Sequence, residues 1–281
     1  MSFSSAILPG GRLHLQHGPI DLVIGADGDR AIAYGAAEVA FDGVLEGLVA
    51  ELELLQSAWR GETPPYGAVA QRMWRAVGRH EGFVTPMAAV AGAVADHVLE
   101  RMVAGAALRR AYVNNGGDIA LWLAPGERFR LAVAGLDGAG LGKVEIGAGD
   151  GIGGVATSGV GGRSLSLGIA ESVTVLARDA ASADAAATLI ANAVDLPGHG
   201  AIRRAPACEV RSESDLGDRP VVVEVGALTG AEVEAALARG ANVAGKMMGK
   251  GLISGALLVL RGQGRVVGEG VMKLAGEAER A

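Results

Sequence analysis

The sequence is poor in several residue types that would otherwise decide its class. Cysteine occurs once, at Cys208, so no intrachain disulfide can form and a disulfide-stapled secreted scaffold is excluded. Lysine occurs 4 times against 21 arginines, acidic residues outnumber basic ones, and the net charge is −6 with a pI near 5.4. Neutralising a phosphate backbone needs clustered Lys and Arg that this composition does not offer, so no nucleic-acid partner is expected. Proline is scarce at 9, and the glycines follow no Gly-X-Y period, which excludes collagen and proline-rich disorder. The longest apolar stretch, Met87 to Ala95, is too short to span a bilayer core of about 30 Å. The opening Met1–Gly11 has neither a basic n-region nor a sustained apolar h-region, so no signal peptide is expected. Together these absences point to a soluble cytoplasmic protein that spans no membrane.

What is present is glycine, 45 of 281 residues, roughly twice the usual share of about 7%. Half the chain is hydrophobic and 20% is charged, enough to bury a core and to argue against disorder. The excess of arginine over lysine, with abundant alanine, suggests a GC-biased genome. That bias inflates Ala, Gly and Arg together, so no glycine counts as functional merely by being there.

Periodicity predicts an α+β chain. Arg12–His17 and Ile20–Ile24 read as strands joined at Gly18-Pro19, followed by one long helix carrying Phe41, Val44, Leu45, Leu48, Leu52 and Leu55. A shorter helix carries Val69, Met73, Trp74 and Val77. Thr85-Pro86 reads as an N-cap and first helical position, opening an apolar helix that reaches about Val103. Strands are predicted at Ala111–Val113, Ile119–Leu123, Phe129–Leu136 and Lys143–Ile146, then a glycine-dense loop from Gly147 to Gly162. Ser172–Ala177 reads as a strand leading into a helix over Ala183–Val194. Later come a strand at Val221–Val225, a capping box at Thr229-Gly230-Ala231-Glu232 and a closing hairpin at Ala256–Val267. No low-complexity linker divides the chain. One domain over 1–281 is expected, with a core over about 10–195 and a C-terminal α/β appendage over 196–281.

Several motifs carry chemistry. Gly149-Asp150-Gly151-Ile152-Gly153-Gly154 matches G-x-G-x-x-G, but the residues after it are poor helix material, so a dinucleotide site there is not expected. The loop as a whole can converge backbone N–H groups on an anion, with Thr157 and Ser158 as hydroxyl donors beside Gly159. A flexible surface loop explains it equally well. Asn114-Asn115-Gly116-Gly117-Asp118 reads first as a tight hairpin and second as a ligand-facing turn. Asp184 and Thr188 lie four apart on one helix face. Asp184 is placed in the first turn, where it complements the helix dipole, or it joins Thr188 in offering two oxygens to Mg²⁺. The histidines at 14, 17, 80, 97 and 199 form no zinc motif. Arg203 and Arg204 near Cys208 could lower a thiol pKa, but no histidine stands close in sequence, so a catalytic thiol is not expected.

Four segments occur in a telling order: Thr85–Asp96 (TPMAAVAGAVAD), Val113–Ile119 (VNNGGDI), Ala156–Gly159 (ATSG), and Ser172–Ala177 followed by Ala183–Thr188 (ADAAAT). This order resembles the ApbE superfamily, the FAD:protein FMN transferases, and most closely an uncharacterised compact cytoplasmic branch of it. The resemblance covers roughly residues 10 to 195. It implies an α+β fold related to the tunnel-forming pterin-binding folds, a mixed or antiparallel sheet packed with helices. It implies binding of FAD or another flavin nucleotide with Mg²⁺, and transfer of FMN to a hydroxyl of a protein acceptor. Asp184, Thr188 and the carbonyl of Val90 fall on metal-binding positions. Asn114, Asn115, Gly116, Gly117 and Asp118 match the flavin-side turn, and Thr157, Ser158 and Gly159 the segment after it. No residue is assigned a catalytic role.

Three departures accompany the likeness. Ala91 stands where the transferases carry a lysine before Gly92, and the stretch from Gly159 to Ser172 has no room for their His-x-x-Asp-Pro-x-x-Gly segment. The secretory or lipoprotein leader common among the transferases is not expected here. A ligand-binding protein without transferase activity, or an enzyme of another, pterin-like cofactor pathway, is the alternative reading. Apolar helices in a low-aromatic chain are compatible with a homo-oligomer, which no motif demands.

Overall fold

The structure, a computed structural model, describes residues 3–61, 63–134, 140–162, 164–268 and 272–274. Leu136 of the strand expected to end there, Arg163 of the segment before Ser172, and the last residues of the expected appendage lie outside this set. The chain divides into two compact units, one formed by 1–129, 146–156 and 177–185, the other by 130–145, 157–176 and 186–281.

The first unit begins with strands β1 (Ser4–Leu8), β2 (Arg12–His17) and β3 (Ile20–Gly28); alternate residues of β2 and of the start of β3 turn inward, while β1 is largely exposed. Leu13 pairs with Ile24 and Leu15 with Leu22 across the ladder, and all four are buried, as a half-buried antiparallel sheet requires. Helices follow: α1 (Arg30–Phe41), α2 (Val44–Ala50), α3 (Leu52–Gln56) and α4 (Ala68–Val77). The single long helix expected over this region is therefore three. Gly43 adopts φ +76°, a left-handed conformation that ends one helix and starts the next, and Glu51 breaks the run again. A 3₁₀ turn over Pro86–Ala89 opens α5 (Val90–Gly105), which packs on α1, α4 and the sheet. Pro86 stands at the expected first position, but the Thr85 side chain makes no cap; its carbonyl accepts from the Ala88 N–H instead.

Strands β4 (Leu108–Asn115) and β5 (Asp118–Leu123) continue the antiparallel sheet, with β4 beside β3. The Asn114 side chain accepts the Gly117 N–H at 2.8 Å and fixes the Gly116-Gly117 turn, so the hairpin reading of this motif holds. Farther on lie β6 (Arg128–Ala134), β7 (Gly140–Gly147) and β8 (Gly154–Ser158). The stretch expected to be loop from Gly147 to Gly162 therefore contains a strand; Val155 pairs with Ile119 and Gly154 with Ala120. Glycine masks strand periodicity here, because it contributes no side chain to alternate.

Next come β9 (Ser172–Ala177) and α6 (Ala180–Ala193), which starts three residues earlier than expected. Both β8 and α6 cross the division: 154–156 and 180–185 belong to the first unit, 157–158 and 186–193 to the second. The second unit also holds β10 (Ile202–Pro206), α7 (Ala207–Val210), β11 (Pro220–Val225), α8 (Gly230–Gly249), β12 (Gly255–Leu260) and β13 (Gln263–Val267). β12 pairs antiparallel with both β9 and β13, and every residue of β12 is buried. The fold is thus α+β, built on antiparallel sheet packed with helices, as the sequence predicts.

Candidate functional site

The first unit brings together the N-termini of two helices. At the start of α5, the Gly92 N–H donates to Asp184 Oδ2 at 3.1 Å, and the Asn115 amide donates to the Ala91 carbonyl at 3.1 Å. Asn115 is 5% exposed, so this contact fixes the backbone of α5 from inside the unit. At the start of α6, the Ala180 and Ala181 N–H groups donate to the two oxygens of Asp96 at 3.0 and 2.9 Å. Each helix therefore lends a carboxylate to the unsatisfied N–H groups of the other, where the dipole also favours negative charge. The contact is close because Gly92 lacks a side chain: a Cβ there would sit 2.2 Å from the Ala180 carbonyl oxygen.

Asp184 thus differs from expectation in one respect. It lies in the second turn of α6, with no acid in the first turn, so it does not complement its own helix dipole. Asp179 does, accepting the Ser182 N–H at 2.7 Å. Asp184 keeps part of its surface open to solvent. Loss of water around its carboxyl, and then the charges of Asp118 and Asp96, nevertheless push its pKa well above the usual carboxylate range, against the pull of the Gly92 and Ala91 N–H groups. Burial likewise raises Asp96 to about 7, although the Ala181 and Ala180 N–H groups favour its charged form. The arrangement concentrates carboxyl groups beside the two helix starts.

Asn115, Asp118, the Val90–Gly92 segment and Asp184 are therefore neighbours in the first unit. Asp96 belongs with them, and sequence reasoning gave it no role. Its signal was present as the carboxylate that ends the apolar run from Val90 to Ala95.

Asn114, Gly116 and Gly117 form the turn beside Asn115 in the first unit, whereas Thr157, Ser158, Gly159 and Thr188 belong to the second. Thr188 Oγ1 stands 3.5 Å from Ser158 Oγ, and Thr157 Oγ1 lies 2.9 Å from Thr174 Oγ1. Gly159 is held by backbone packing, since a Cβ there would come within 2.6 Å of the Glu171 carbonyl oxygen. The G-x-G-x-x-G match leads into β8 and not into a helix, which removes the geometry of a dinucleotide site. Its last glycine serves packing: a Cβ on Gly154 would lie 2.2 Å from the Asp179 carbonyl carbon. Cys208 departs from expectation as well. Arg203 pairs with Glu224 and Arg204 with Asp195, while the thiol donates to Asp218 and its pKa is raised. Among the described residues, no group of three or more His, Cys, Asp or Glu has metal-binding geometry, and no helix is long and apolar enough to cross a membrane.

This fold and the order of these segments define an α+β protein of the ApbE-like superfamily. More specifically, the chain belongs to the family described as AbpE bacteria, whose model matches residues 5–266. A UPF0280 protein of Methanothrix thermoacetophila is 45% identical over 113 residues, 40% of this chain and 46% of that protein. A UPF0280 protein of Methanosphaerula palustris is 38% identical over 155 residues, 53% of this chain and 63% of that protein. The chain spans about half the length of such relatives. Among solved structures, the flavin transferase ApbE from Vibrio cholerae shares 12% identity, with 99% of this chain and 98% of that one covered at a TM-score of 0.45. The Pseudomonas stutzeri flavinyl transferase ApbE in its apo form shares 16% identity, with 99% and 95% covered at a TM-score of 0.42.

Proposed function

We propose that this protein binds FAD or a related flavin nucleotide together with Mg²⁺ and transfers FMN to a hydroxyl of a protein acceptor, working in the cytoplasm. Family membership and the four ordered segments support the flavin. The observation that carries the metal is Asp184: its carboxyl, stripped of water, accepts the Gly92 N–H at 3.1 Å, and its acidic neighbours are Asp118 and Asp96. Such a group must take up a proton or a cation. Hard cations prefer oxygen, and Asp184 stands within a helical turn of Thr188 in sequence and beside the backbone of the Val90–Gly92 segment. These donors fit Mg²⁺, with carbonyl, hydroxyl, water and phosphate oxygens completing the shell that the carboxylates alone do not form.

When bound, such an ion supplies Lewis-acid polarisation of a phosphoanhydride oxygen. The chain's own residues hold the geometry. Asn115 pins the Ala91 carbonyl, Asp184 pins the Gly92 N–H, and the Gly116-Gly117 turn leaves bare backbone for a planar ring to approach. In this reading Thr157 and Ser158 offer hydroxyl donors to phosphate oxygens.

Calorimetric titration of FAD and Mg²⁺ into wild type and Asp184→Ala tests the assignment. The variant is expected to lose Mg²⁺ affinity by tenfold or more, as removal of a metal ligand or its support commonly does. Equal affinity in the two proteins would overturn the metal site.

A second reading keeps ligand binding and discards the transfer, with a pterin-like ligand in place of the flavin. Two observations favour it: Ala91 occupies the lysine position, and the stretch before Ser172 lacks the His-x-x-Asp-Pro-x-x-Gly segment. Mass spectrometry of small molecules released from the purified protein separates the two, a flavin supporting transfer and a pterin supporting the alternative.

A further inference from the structure

The geometry points to Asp96 as the residue that positions Asp184 for its cation, acting through the α6 N-terminus and without touching the ion. This inference rests on the Mg²⁺ reading of Asp184.

The helix α6 enters the first unit through Ala180 and Ala181, and both of their N–H groups are held by one side chain, Asp96, at 3.0 and 2.9 Å. Asp184 lies one turn farther along the same helix and meets Gly92, one turn before Asp96 on α5. The four residues form a closed rectangle. Two of its sides are the i to i+4 spacings of the two helices, and the other two are the reciprocal carboxylate-to-N–H contacts. The absent side chain of Gly92 lets the rectangle close, with the Ala180 carbonyl oxygen 2.2 Å from where a Cβ would stand. A helix held this close at one corner has little freedom to rotate, so the Asp184 carboxyl is set by backbone contacts at both ends. Metal-ligating carboxylates depend on such outer contacts for orientation.

A general cap and a positioning residue predict different outcomes, and the chain supplies the control. Asp179 also caps α6, through the Ser182 N–H at 2.7 Å; its charge is felt by Asp96, but it accepts none of the N–H groups that Asp96 and Asp184 hold. Losing it weakens the helix start without opening the rectangle.

The test titrates Mg²⁺, with FAD present, into the full chain as wild type, Asp96→Ala, Asp96→Asn and Asp179→Ala, with thermal unfolding of each recorded alongside. Asp96→Ala is expected to weaken Mg²⁺ binding about tenfold or more. Asp96→Asn keeps one acceptor oxygen and should fall between Asp96→Ala and wild type. Asp179→Ala should lose stability yet hold Mg²⁺ within about twofold of wild type, the change expected when only a helix cap is removed. If Asp96→Ala does not fold, Asp96→Asn against Asp179→Ala decides, and a weakening of about threefold or more in the former alone supports the inference. Equal Mg²⁺ affinity in the Asp96 and Asp179 variants would overturn it and leave the metal site standing. Absence of Mg²⁺ binding in the wild type would overturn the metal site itself.

Discussion

Glu232 accepts the Thr229 N–H at 2.6 Å and the Thr229 hydroxyl at 2.9 Å, and His199 Nε2 lies 2.8 Å from its other oxygen. These contacts, the backbone N–H foremost, lower its pKa from 4.5 to about 2. A carboxyl whose folded pKa is depressed contributes stability that is complete above its unfolded pKa and fades as pH falls through the folded one. Glu232→Gln should therefore lower the thermal midpoint at pH 7, and the gap from wild type should narrow between pH 4.5 and 2. Circular-dichroism melts across that range measure it; a gap constant with pH would show that the charge is not the cause. The capping box itself was legible in the sequence, because its partners stand three residues apart. The His199 contact was not, since 33 residues separate the pair. Asp184 follows the same rule. Its position could be read from the segment order, but its hold on Gly92, 92 residues away, depends on the fold.

At the scale of elements, strands and amphipathic helices with regular side chains were legible, and glycine-rich stretches were not. The β2–β3 pair matches the alternation of its residues, and β12 of the closing hairpin matches a continuous apolar run that is buried throughout. The long helix failed at Asp42-Gly43, where a spacing of apolar residues persists across a backbone break that only Gly43 at φ +76° reveals. The strand β8 was missed because its approach to the Ala120 backbone leaves Gly154 with nothing to alternate. Helix–helix crossings are the least legible of all, since a close approach needs a missing atom and not a pattern. The α5–α6 crossing yields a prediction at this scale. Gly92→Ala would place a methyl 2.2 Å from the Ala180 carbonyl oxygen, and backbone on both sides can yield only by separating the helices. Such overpacking costs about 1–3 kcal/mol, offset in part by the better helix propensity of alanine. Urea unfolding should show the loss, and Mg²⁺ binding should weaken with it because the Gly92 N–H moves off Asp184. A variant as stable as wild type, with binding intact, would mean that the two helices cross less closely than 2.2 Å implies.

At the scale of the whole molecule, a net charge of −6 argues against attraction of an anionic nucleotide by the general field, and attraction must be local. The helix starts of α5 and α6 do not supply it unaided, because their N–H groups are already spent on Asp184 and Asp96. A cation placed on Asp184 reverses the local sign and makes phosphate oxygens welcome, so nucleotide and metal should bind as linked partners. Linkage has a thermal consequence. A ligand at a hundred times its dissociation constant stabilises the folded state by about 2.7 kcal/mol, which raises the midpoint of a protein of this length by about 5 °C. FAD with Mg²⁺ should therefore shift the midpoint by about that much, while FAD without a divalent cation, or either ligand with Asp184→Ala, should shift it far less. Differential scanning fluorimetry across a matrix of FAD and Mg²⁺ concentrations reads the coupling directly. Independent shifts that merely add would break the link between nucleotide and metal, and a shift by FAD unchanged in Asp184→Ala would place the nucleotide away from this carboxylate.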